Sequence, residues 1–304
     1  MEISLSSVAA TPFDDCPQQS EAMEGIDDFV VQFWGVRGSV PTPGVETVRY
    51  GGNTSCLEMR VGGKRLIFDG GTGLRMLGDQ LLQEMPVQAY MFFTHYHWDH
   101  IQGFPLFAPA FIRGNRFDIY GATPPDGDCL KRHFVERVLH SNSPVPLMGL
   151  QADLNFNEMY HNQTMMLDDI EIRTGSLNHP NTAMGYRVTW HGRSVVYCSD
   201  TEHFPDRLDE NIYNLALDAD VLIYDAMYTD EEYHNPKSPK IGWGHSTWQE
   251  AVRMGKEARV KRVVIFHHDP AHTDDFLDRI ALEVQVAFPK AVMAREGLIL
   301  PIGI

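Results

Sequence analysis

Long apolar runs, paired cysteines and positive charge are all scarce in this sequence of 304 residues. It contains no run of about eighteen apolar residues, so we expect no membrane-spanning helix. Its beginning lacks the basic residues and apolar stretch of a signal peptide, and we therefore expect a cytoplasmic protein. The four cysteines form no CxxC pair, so the sequence predicts neither a disulfide framework nor a thiolate zinc site.

Basic residues are few, because 25 Lys and Arg stand against 41 Asp and Glu and give a formal net charge of −16. A polyanion such as RNA binds through clustered basic side chains, so this charge disfavours a nucleic-acid partner and favours a small-molecule substrate. Histidine, in contrast, is abundant, with 14 residues. Several histidines stand beside carboxylates, which indicates a metal site.

The chain divides into an acidic tail and one long structured part. Residues 1–28 carry seven acidic residues and no Lys or Arg, and we expect a flexible tail there. From residue 29 onward, strand patterns dominate each half and helical patterns follow them. This order predicts an α/β fold of two mixed sheets packed face to face with helices outside, a four-layer αββα sandwich. We expect residues 29–304 to form a single catalytic domain.

Four potential metal ligands lie within six residues, directly after the apolar strand pattern Ala89–Phe93. His95 and His97 are two apart, so in extended chain they project to the same side and predict one metal position. Asp99 and His100 follow where the chain turns toward a helix, so they can face a second position. Imidazole and carboxylate groups together suit zinc, manganese or iron.

This HxHxDH pattern after an apolar strand resembles the metal-binding motif of the metallo-β-lactamase superfamily. Further motifs in the family's order support the resemblance. They are Asp69 in FDGGTG, His179 in LNHP, Asp200 in YCSDT and His267 in VIFHHDP. The resemblance covers residues 30–300. It implies the metallo-β-lactamase sandwich and two divalent transition-metal ions, with zinc preferred and manganese or iron as alternatives.

The resemblance also implies how the ligands divide between the two ions. The set for the first ion is His95, His97 and His179, and the set for the second is Asp99, His100 and His267. Asp200 would bridge both ions together with a hydroxide that attacks the substrate, and Asp69 would orient ligands from behind them. His268 is an alternative to His267, because only one of two neighbours in a strand can face the metals. We choose His267, which comes first after the apolar run.

Three further segments resemble a branch that includes ribonuclease Z and bacterial cyclic-nucleotide phosphodiesterases: WGVRGSVP, GGNTSC and GWGHST. In ribonuclease Z the histidine of the last segment is catalytic, so the resemblance implies His245 as proton donor and Asp225 as its partner. Ribonuclease Z usually has glutamate where this sequence has Asp225. The alternative is that His245 only begins the helix pattern Thr247–Ala258. Asn53 and Arg37 lie in the glycine-rich segments and are further candidates for binding phosphate.

These motifs predict a dinuclear metal-dependent phosphodiesterase in which Asp99 is both ligand and part of the catalytic group. Our first hypothesis for the substrate is a small phosphodiester such as a 3′,5′-cyclic nucleotide. The alternatives are a ribonuclease Z-like endonuclease of RNA 3′ ends, a lactonase or thioesterase, and a metal-binding sensor without turnover. Ribonuclease Z carries a basic arm that grips tRNA, whereas residues 124–170 here contain three basic residues. A homodimer is left open.

Overall fold

The structure, a computed structural model, describes residues 29–123, 129–132, 134–135, 149–180 and 182–303. The acidic tail expected at residues 1–28 lies outside these ranges, and so do six of the twelve residues 129–140, whose sequence pattern predicts a helix. Within the described ranges, none of the helices combines the length and the apolar composition that crossing a membrane requires. The single-domain organisation stays a prediction.

The strand patterns form two seven-stranded sheets. The first contains β1 (Val30–Gly35), β2 (Cys56–Val61), β3 (Lys64–Phe68), β4 (Gln88–Phe92), β5 (Arg116–Ala122), β6 (Asp153–Met159) and β14 (Ile299–Pro301). The second contains β7 (Thr164–Leu167), β8 (Ile170–Leu177), β9 (Ala183–Trp190), β10 (Arg193–Cys198), β11 (Val221–Asp225), β12 (Arg262–Phe266) and β13 (Val292–Met293).

Each sheet joins an antiparallel part to a parallel part. The order in the first sheet is β14-β1-β2-β3-β4-β5-β6, and β3 to β6 run parallel. The order in the second is β13-β12-β11-β10-β9-β8-β7, and β10 to β13 run parallel. Because parallel strands end at a common edge, loops after β3 and β4 and loops after β10, β11 and β12 can meet around one site.

The hairpin of β2 and β3 shows how local sequence fixes this arrangement. Gly62 and Gly63 connect the strands with φ of 55° and 71°, a backbone conformation in which glycine has no Cβ to clash. Two residues with positive φ form the turn that matches the twist of an antiparallel pair. Val61 is then opposite Lys64, and the hairpin that two glycines between strand patterns predict is present.

Helices cover the outer faces of the sheets. They are α1 (Gly73–Leu81), α2 (Trp98–Ile101), α3 (Leu130–Arg132), α4 (Glu210–Ala216), α5 (Asp230–Tyr233), α6 (Trp248–Glu257) and α7 (Asp274–Ala287). The expected helix at residues 247–258 is α6, and Thr247 caps it by accepting a hydrogen bond from the backbone N–H of Glu250. This N-terminal cap satisfies one of the unpaired N–H groups of the first turn.

The inner faces of both sheets share one core. Phe68 of the first sheet stacks on Phe92 at 5.2 Å and meets Tyr186 and Tyr197 of the second sheet at 5.4 and 5.9 Å between ring centroids. All four side chains are buried. Removing one such buried phenyl ring typically costs about 3–5 kcal/mol of stability. The four-layer sandwich of helix, sheet, sheet and helix predicted from the sequence is confirmed.

Candidate metal centre

The candidate ligands lie at one edge of the sandwich, where the parallel strands of both sheets end. Asp69 follows β3, and His95 lies just beyond β4. From the second sheet, Asp200 follows β10 and His267 follows β12. The common edge therefore brings together residues that are far apart in the sequence.

Three of these residues leave their strands through the left-handed region of the backbone. The angle φ is 60° at Asp69, 60° at Asp200 and 63° at His267. This conformation costs energy for a residue with a Cβ, and it persists where surrounding contacts compensate for the cost. Such backbone strain concentrated on three residues at one edge is typical of a functional site.

The HxHxDH segment supplies ligands from an extended stretch and from a helix. His97 is the N-terminal cap of α2 and has an extended backbone, whereas Asp99 and His100 lie in the first turn of α2. Asp99 accepts a hydrogen bond from the backbone N–H of Ser39, which holds its carboxylate. The change from strand to helix turns the second pair of ligands away from the first pair.

The seven proposed ligands form two clusters that share Asp200. Within each cluster, one nitrogen or oxygen atom from every member lies within 4.8 Å of the others. The first cluster is His95, His97, His179 and Asp200, and the second is Asp99, His100, His267 and Asp200. This division is the same as the one that the resemblance implied, and we propose the same ligand roles.

Asp200 presents one carboxylate oxygen to each cluster. Its Oδ2 lies 3.6 Å from Nε2 of His95 and 3.8 Å from Nε2 of His179. Its Oδ1 lies 3.0 Å from Nε2 of His100 and 3.2 Å from Nε2 of His267. A carboxylate with this orientation can bridge two cations.

The chemistry of the clusters fits divalent transition metals. Nε2 of His95 is buried, and it makes no hydrogen bond with any residue that the structure describes. A buried polar atom without a partner costs about 1–3 kcal/mol, and coordination to a metal ion would remove this cost. Three imidazoles with a carboxylate, and two imidazoles with two carboxylates, are donor sets that zinc, manganese and iron accept.

The electrostatics favour ionised carboxylates and differ between the histidines. Burial lowers the pKa of His100, but the carboxylates of Asp200, Asp99 and Asp69 outweigh it and raise this pKa well above its usual value, so that ring must lose a proton to coordinate a metal. Burial and the neighbouring imidazoles hold the pKa of His95 well below its usual value, so its ring is neutral and offers a lone pair. Burial raises the pKa of the carboxyl groups of Asp99 and Asp200, but nearby imidazoles outweigh it and the net shift is well downward. Both carboxylates are therefore ionised, as metal ligands must be.

Contacts behind the ligands fix the orientation of three imidazole rings. The contacts of their Nδ1 atoms are His100 with Oδ2 of Asp69 at 2.9 Å, His95 with Oγ1 of Thr94 at 3.0 Å, and His179 with the carbonyl oxygen of Gly244 at 2.7 Å. When Nδ1 carries the proton and donates it to such a partner, Nε2 carries the lone pair that faces the cluster. The place of Asp69 behind the ligands agrees with its proposed orienting role.

Tyr197 is a site residue that the sequence analysis missed. Its hydroxyl donates a 2.8 Å hydrogen bond to Oδ2 of Asp69, and Oδ1 of the same carboxylate accepts from the backbone N–H and the side chain of Thr94. Tyr197 lies near the end of strand β10 and is fully buried. A phenol in the buried end of a strand, three residues before Asp200, is the signal that could have identified it.

The structure separates the two neighbouring histidines after β12. His267 joins the second cluster, whereas His268 points to the other side, and its Nε2 lies 2.8 Å from the carbonyl oxygen of Ala294. Burial lowers the pKa of His268 to about 3, so this ring is a neutral core group. The geometry therefore supports His267 as the candidate ligand.

His245 and Asp225 form a buried pair beside the clusters. Nδ1 of His245 lies 2.8 Å from Oδ2 of Asp225, whose oxygens also accept hydrogen bonds from the backbone N–H groups of Thr201 and Met227. Burial lowers the pKa of His245, but the Asp225 carboxylate outweighs burial and raises it to about 9. The N-terminal cap of α6 is Thr247, so capping that helix does not explain His245.

Both candidate phosphate-binding residues in the glycine-rich segments are hydrogen-bonded to other parts of the protein. Arg37 is fully buried and donates hydrogen bonds to the carbonyl oxygens of Gly51, Asp269 and His272, which ties loops together. The side-chain amide of Asn53 donates to the carboxylate of Glu296. We therefore assign Arg37 a structural role and do not include Asn53 in the proposed substrate site.

Comparison with known proteins identifies the family. The model of the β-lactamase superfamily domain matches residues 64–268, which is about two thirds of the chain. The protein therefore belongs to the β-lactamase superfamily and is a metal-dependent hydrolase.

One curated relative and two solved structures extend this comparison. Ribonuclease Z of Haloferax volcanii is 25% identical over 315 aligned positions, covering 87% of this chain and 92% of that protein. The metallo-β-lactamase fold protein YhfI of Bacillus subtilis has a TM-score of 0.67 at 20% identity and covers 91% of this chain and 100% of that chain. The short form of human tRNase Z has a TM-score of 0.61 at 20% identity and covers 90% of this chain and 100% of that chain. The two structural likenesses show the fold alone.

The two clusters predict a metal content that can be measured. Elemental analysis of the purified protein should find about two transition-metal ions per chain. Each cluster offers four ligands, and Asp200 is counted in both. Removal by a chelator should lower the melting temperature, and adding metal back should restore it, since a ligand that binds only the folded state stabilises it. A folded protein that takes up no metal after reconstitution would contradict the assignment of both clusters.

Proposed function

We propose that the protein is a phosphodiesterase that uses two divalent metal ions, with zinc preferred and manganese or iron as alternatives. The observation that carries this proposal is the position of the His245–Asp225 pair. The ring centroid of His245 lies 5.0 Å from that of His267 and 5.2 Å from that of His179. It therefore contacts one proposed ligand of each cluster, where a proton donor for a bound phosphodiester belongs.

Each group then has a separate task in phosphodiester hydrolysis. Bound divalent ions would neutralise the phosphate charge and make a water molecule nucleophilic at neutral pH. His245 donates a proton to the departing oxygen, and Asp225 holds Nδ1 so that Nε2 is the donating nitrogen. A sensor without turnover has no need of a proton donor, so the pair favours an enzyme over that alternative.

For the substrate, the curated relatives favour the ribonuclease Z-like alternative over the cyclic nucleotide that the sequence analysis put first. The relatives of Haloferax volcanii and Methanosarcina mazei are both named ribonuclease Z and align with 87% of this chain. The alignments also span 92% and 95% of those proteins, so the likeness is not confined to the metal motif. An RNA 3′ end is therefore our first candidate substrate.

A small cyclic phosphodiester is the second candidate, and charge is the observation that favours it. The net charge of −16 repels a long polyanion, whereas a cyclic nucleotide carries a single negative charge. Residues 124–170, where ribonuclease Z has its basic arm, contain three basic residues, and positions 124–128 and 136–148 lie outside the described part of the chain.

A substrate panel with the metal-loaded protein tests the proposal. The panel contains precursor tRNA, 3′,5′- and 2′,3′-cyclic nucleotides, a nitrophenyl phosphodiester, a lactone, a thioester and a β-lactam. We expect turnover of the phosphodiesters, with precursor tRNA cleaved at its 3′ end. Cleavage of a cyclic nucleotide without cleavage of tRNA would select the second candidate. Turnover of only the lactone or thioester would overturn the phosphodiesterase proposal.

A further inference from the structure

Two large aromatic side chains are exposed directly beside the metal centre. The chain has five tryptophans, of which Trp98 and Trp243 are 43% and 56% exposed, whereas Trp190 and Trp248 are buried. An exposed tryptophan leaves a large apolar surface in water, so its position calls for a physical reason. Trp98 directly follows His97, a proposed ligand that is only partly buried.

Trp243 belongs to the segment that carries His245, the proposed proton donor. It lies two residues before His245 and directly before Gly244, whose carbonyl oxygen contacts Nδ1 of His179 at 2.7 Å. A Cβ at Gly244 would approach the His179 ring to 2.5 Å, so this backbone sits tightly against a proposed ligand. Trp243 therefore lies on a backbone segment that borders the first cluster and leads directly to His245.

The loop that carries Trp243 is held in one conformation by a single carboxylate. Glu202 accepts hydrogen bonds from the backbone N–H of Gly242 at 2.6 Å and from that of Gly244 at 2.9 Å. Both glycines have positive φ, 84° and 85°, which residues with a Cβ rarely adopt. The exposed ring thus stands on a fixed backbone and loses little further freedom when a ligand binds.

A cation lies over the same ring. Nζ of Lys240 is 4.2 Å from the centre of the Trp243 ring and 5.6 Å from that of the Tyr228 ring. The ammonium group attracts the ring by a cation–π interaction and supplies positive charge in an otherwise acidic protein. An aromatic face with a neighbouring positive charge is the combination that binds a nucleobase and its phosphate.

We propose that the face of Trp243 not covered by Lys240 is the stacking platform for the nucleobase next to the scissile phosphate, with Lys240 close to the phosphate backbone. Trp98, on the side of His97, is the second aromatic wall. This assignment rests on the proposed phosphodiesterase function and deepens it, because it makes the substrate a nucleotide rather than an ester without a base.

The test compares a substrate that has a base with one that lacks it. Thymidine 5′-(4-nitrophenyl phosphate) and methyl 4-nitrophenyl phosphate release the same nitrophenol, so they differ in the nucleoside. A base that stacks on an aromatic side chain typically binds about 5- to 100-fold more tightly than the same base does when that side chain is replaced by alanine. We therefore expect Trp243→Ala to raise KM for the thymidine substrate by about this factor, and far more than KM for the methyl substrate. Trp243→Phe should restore most of the loss.

Measurements of nucleotide binding and of metal content test the role of Trp243 independently of the proposed phosphodiesterase activity. Leu282, 68% exposed on α7, provides a control variant, Leu282→Ala, that removes an exposed apolar side chain elsewhere. Calorimetry with adenosine monophosphate should show weaker binding to Trp243→Ala than to the unaltered and control proteins, at equal metal content. If the unaltered protein binds the nucleotide through Trp243 but hydrolyses no phosphodiester, the proposed function fails and the inference stands. Equal loss with both substrates, or unchanged nucleotide binding, would overturn the inference.

Discussion

Replacing Asp200 by alanine should lower the occupancy of both metal clusters and abolish hydrolysis together. Its two carboxylate oxygens point to different clusters, Oδ2 toward His95 and His179 and Oδ1 toward His100 and His267. Removing the carboxylate would take one proposed ligand from each cluster and one negative charge from between the two positions where cations would bind. Because bound metal lowers the pKa of water from about 15.7 to about 7, we expect a rate loss above roughly 10³-fold.

Metal analysis and kinetics on the same protein samples check this expectation. Asp200→Asn provides a second variant that keeps the shape of the side chain but removes its charge. Asp218→Ala is the matched control, since Asp218 is an exposed carboxylate that pairs with Arg259 on the surface. Full occupancy of both sites in Asp200→Ala and Asp200→Asn would show that Asp200 is not a bridging ligand.

Four of the candidate ligands could be proposed from the residues alone because their signal is local, whereas His179, Asp200 and His267 needed the resemblance to a family. His95, His97, Asp99 and His100 lie in one short segment after a strand, and the change to helix at residue 98 separates them into two pairs. The hairpin of β2 and β3 was equally local, since two glycines stand between its strands. Such patterns depend on a few neighbouring residues, and the distant parts of the chain do not alter them.

Features that depend on distant contacts were missed or misplaced. Arg37 looked like a phosphate ligand because it stands among glycines, yet its guanidinium binds carbonyl oxygens more than 200 residues away in sequence, at Asp269 and His272. Strand β6 was not predicted because polar residues interrupt its pattern, which sheet pairing with β5 overrides. The role of Glu202 is invisible in the sequence, since its partners lie 40 and 42 residues further on.

Replacing His245 by alanine should slow phosphodiester hydrolysis about 10²–10⁴-fold, the usual contribution of general acid catalysis. His245 belongs to neither of the two clusters that share Asp200, and the third group of possible ligands, which it forms with Asp225, shares only His267 with them. Metal content and melting temperature should therefore change little. His191→Ala is the matched control. His191 is an exposed imidazole that pairs with Asp169, and it lies in the turn between β9 and β10, at the opposite end of β10 from Asp200. Loss of metal from His245→Ala would show that His245 is a ligand.

The leaving group decides whether His245 transfers a proton. Nitrophenolate departs without help, whereas an alkoxide from a ribose needs a proton as the bond breaks. The loss in His245→Ala should therefore be large for a ribonucleotide diester and small for a nitrophenyl diester. Asp225→Asn should give a smaller loss in the same direction, because Asp225 holds Nδ1 of His245 at 2.8 Å and does not touch the product. An equal loss with both leaving groups would mean that His245 positions the phosphate and does not protonate the product.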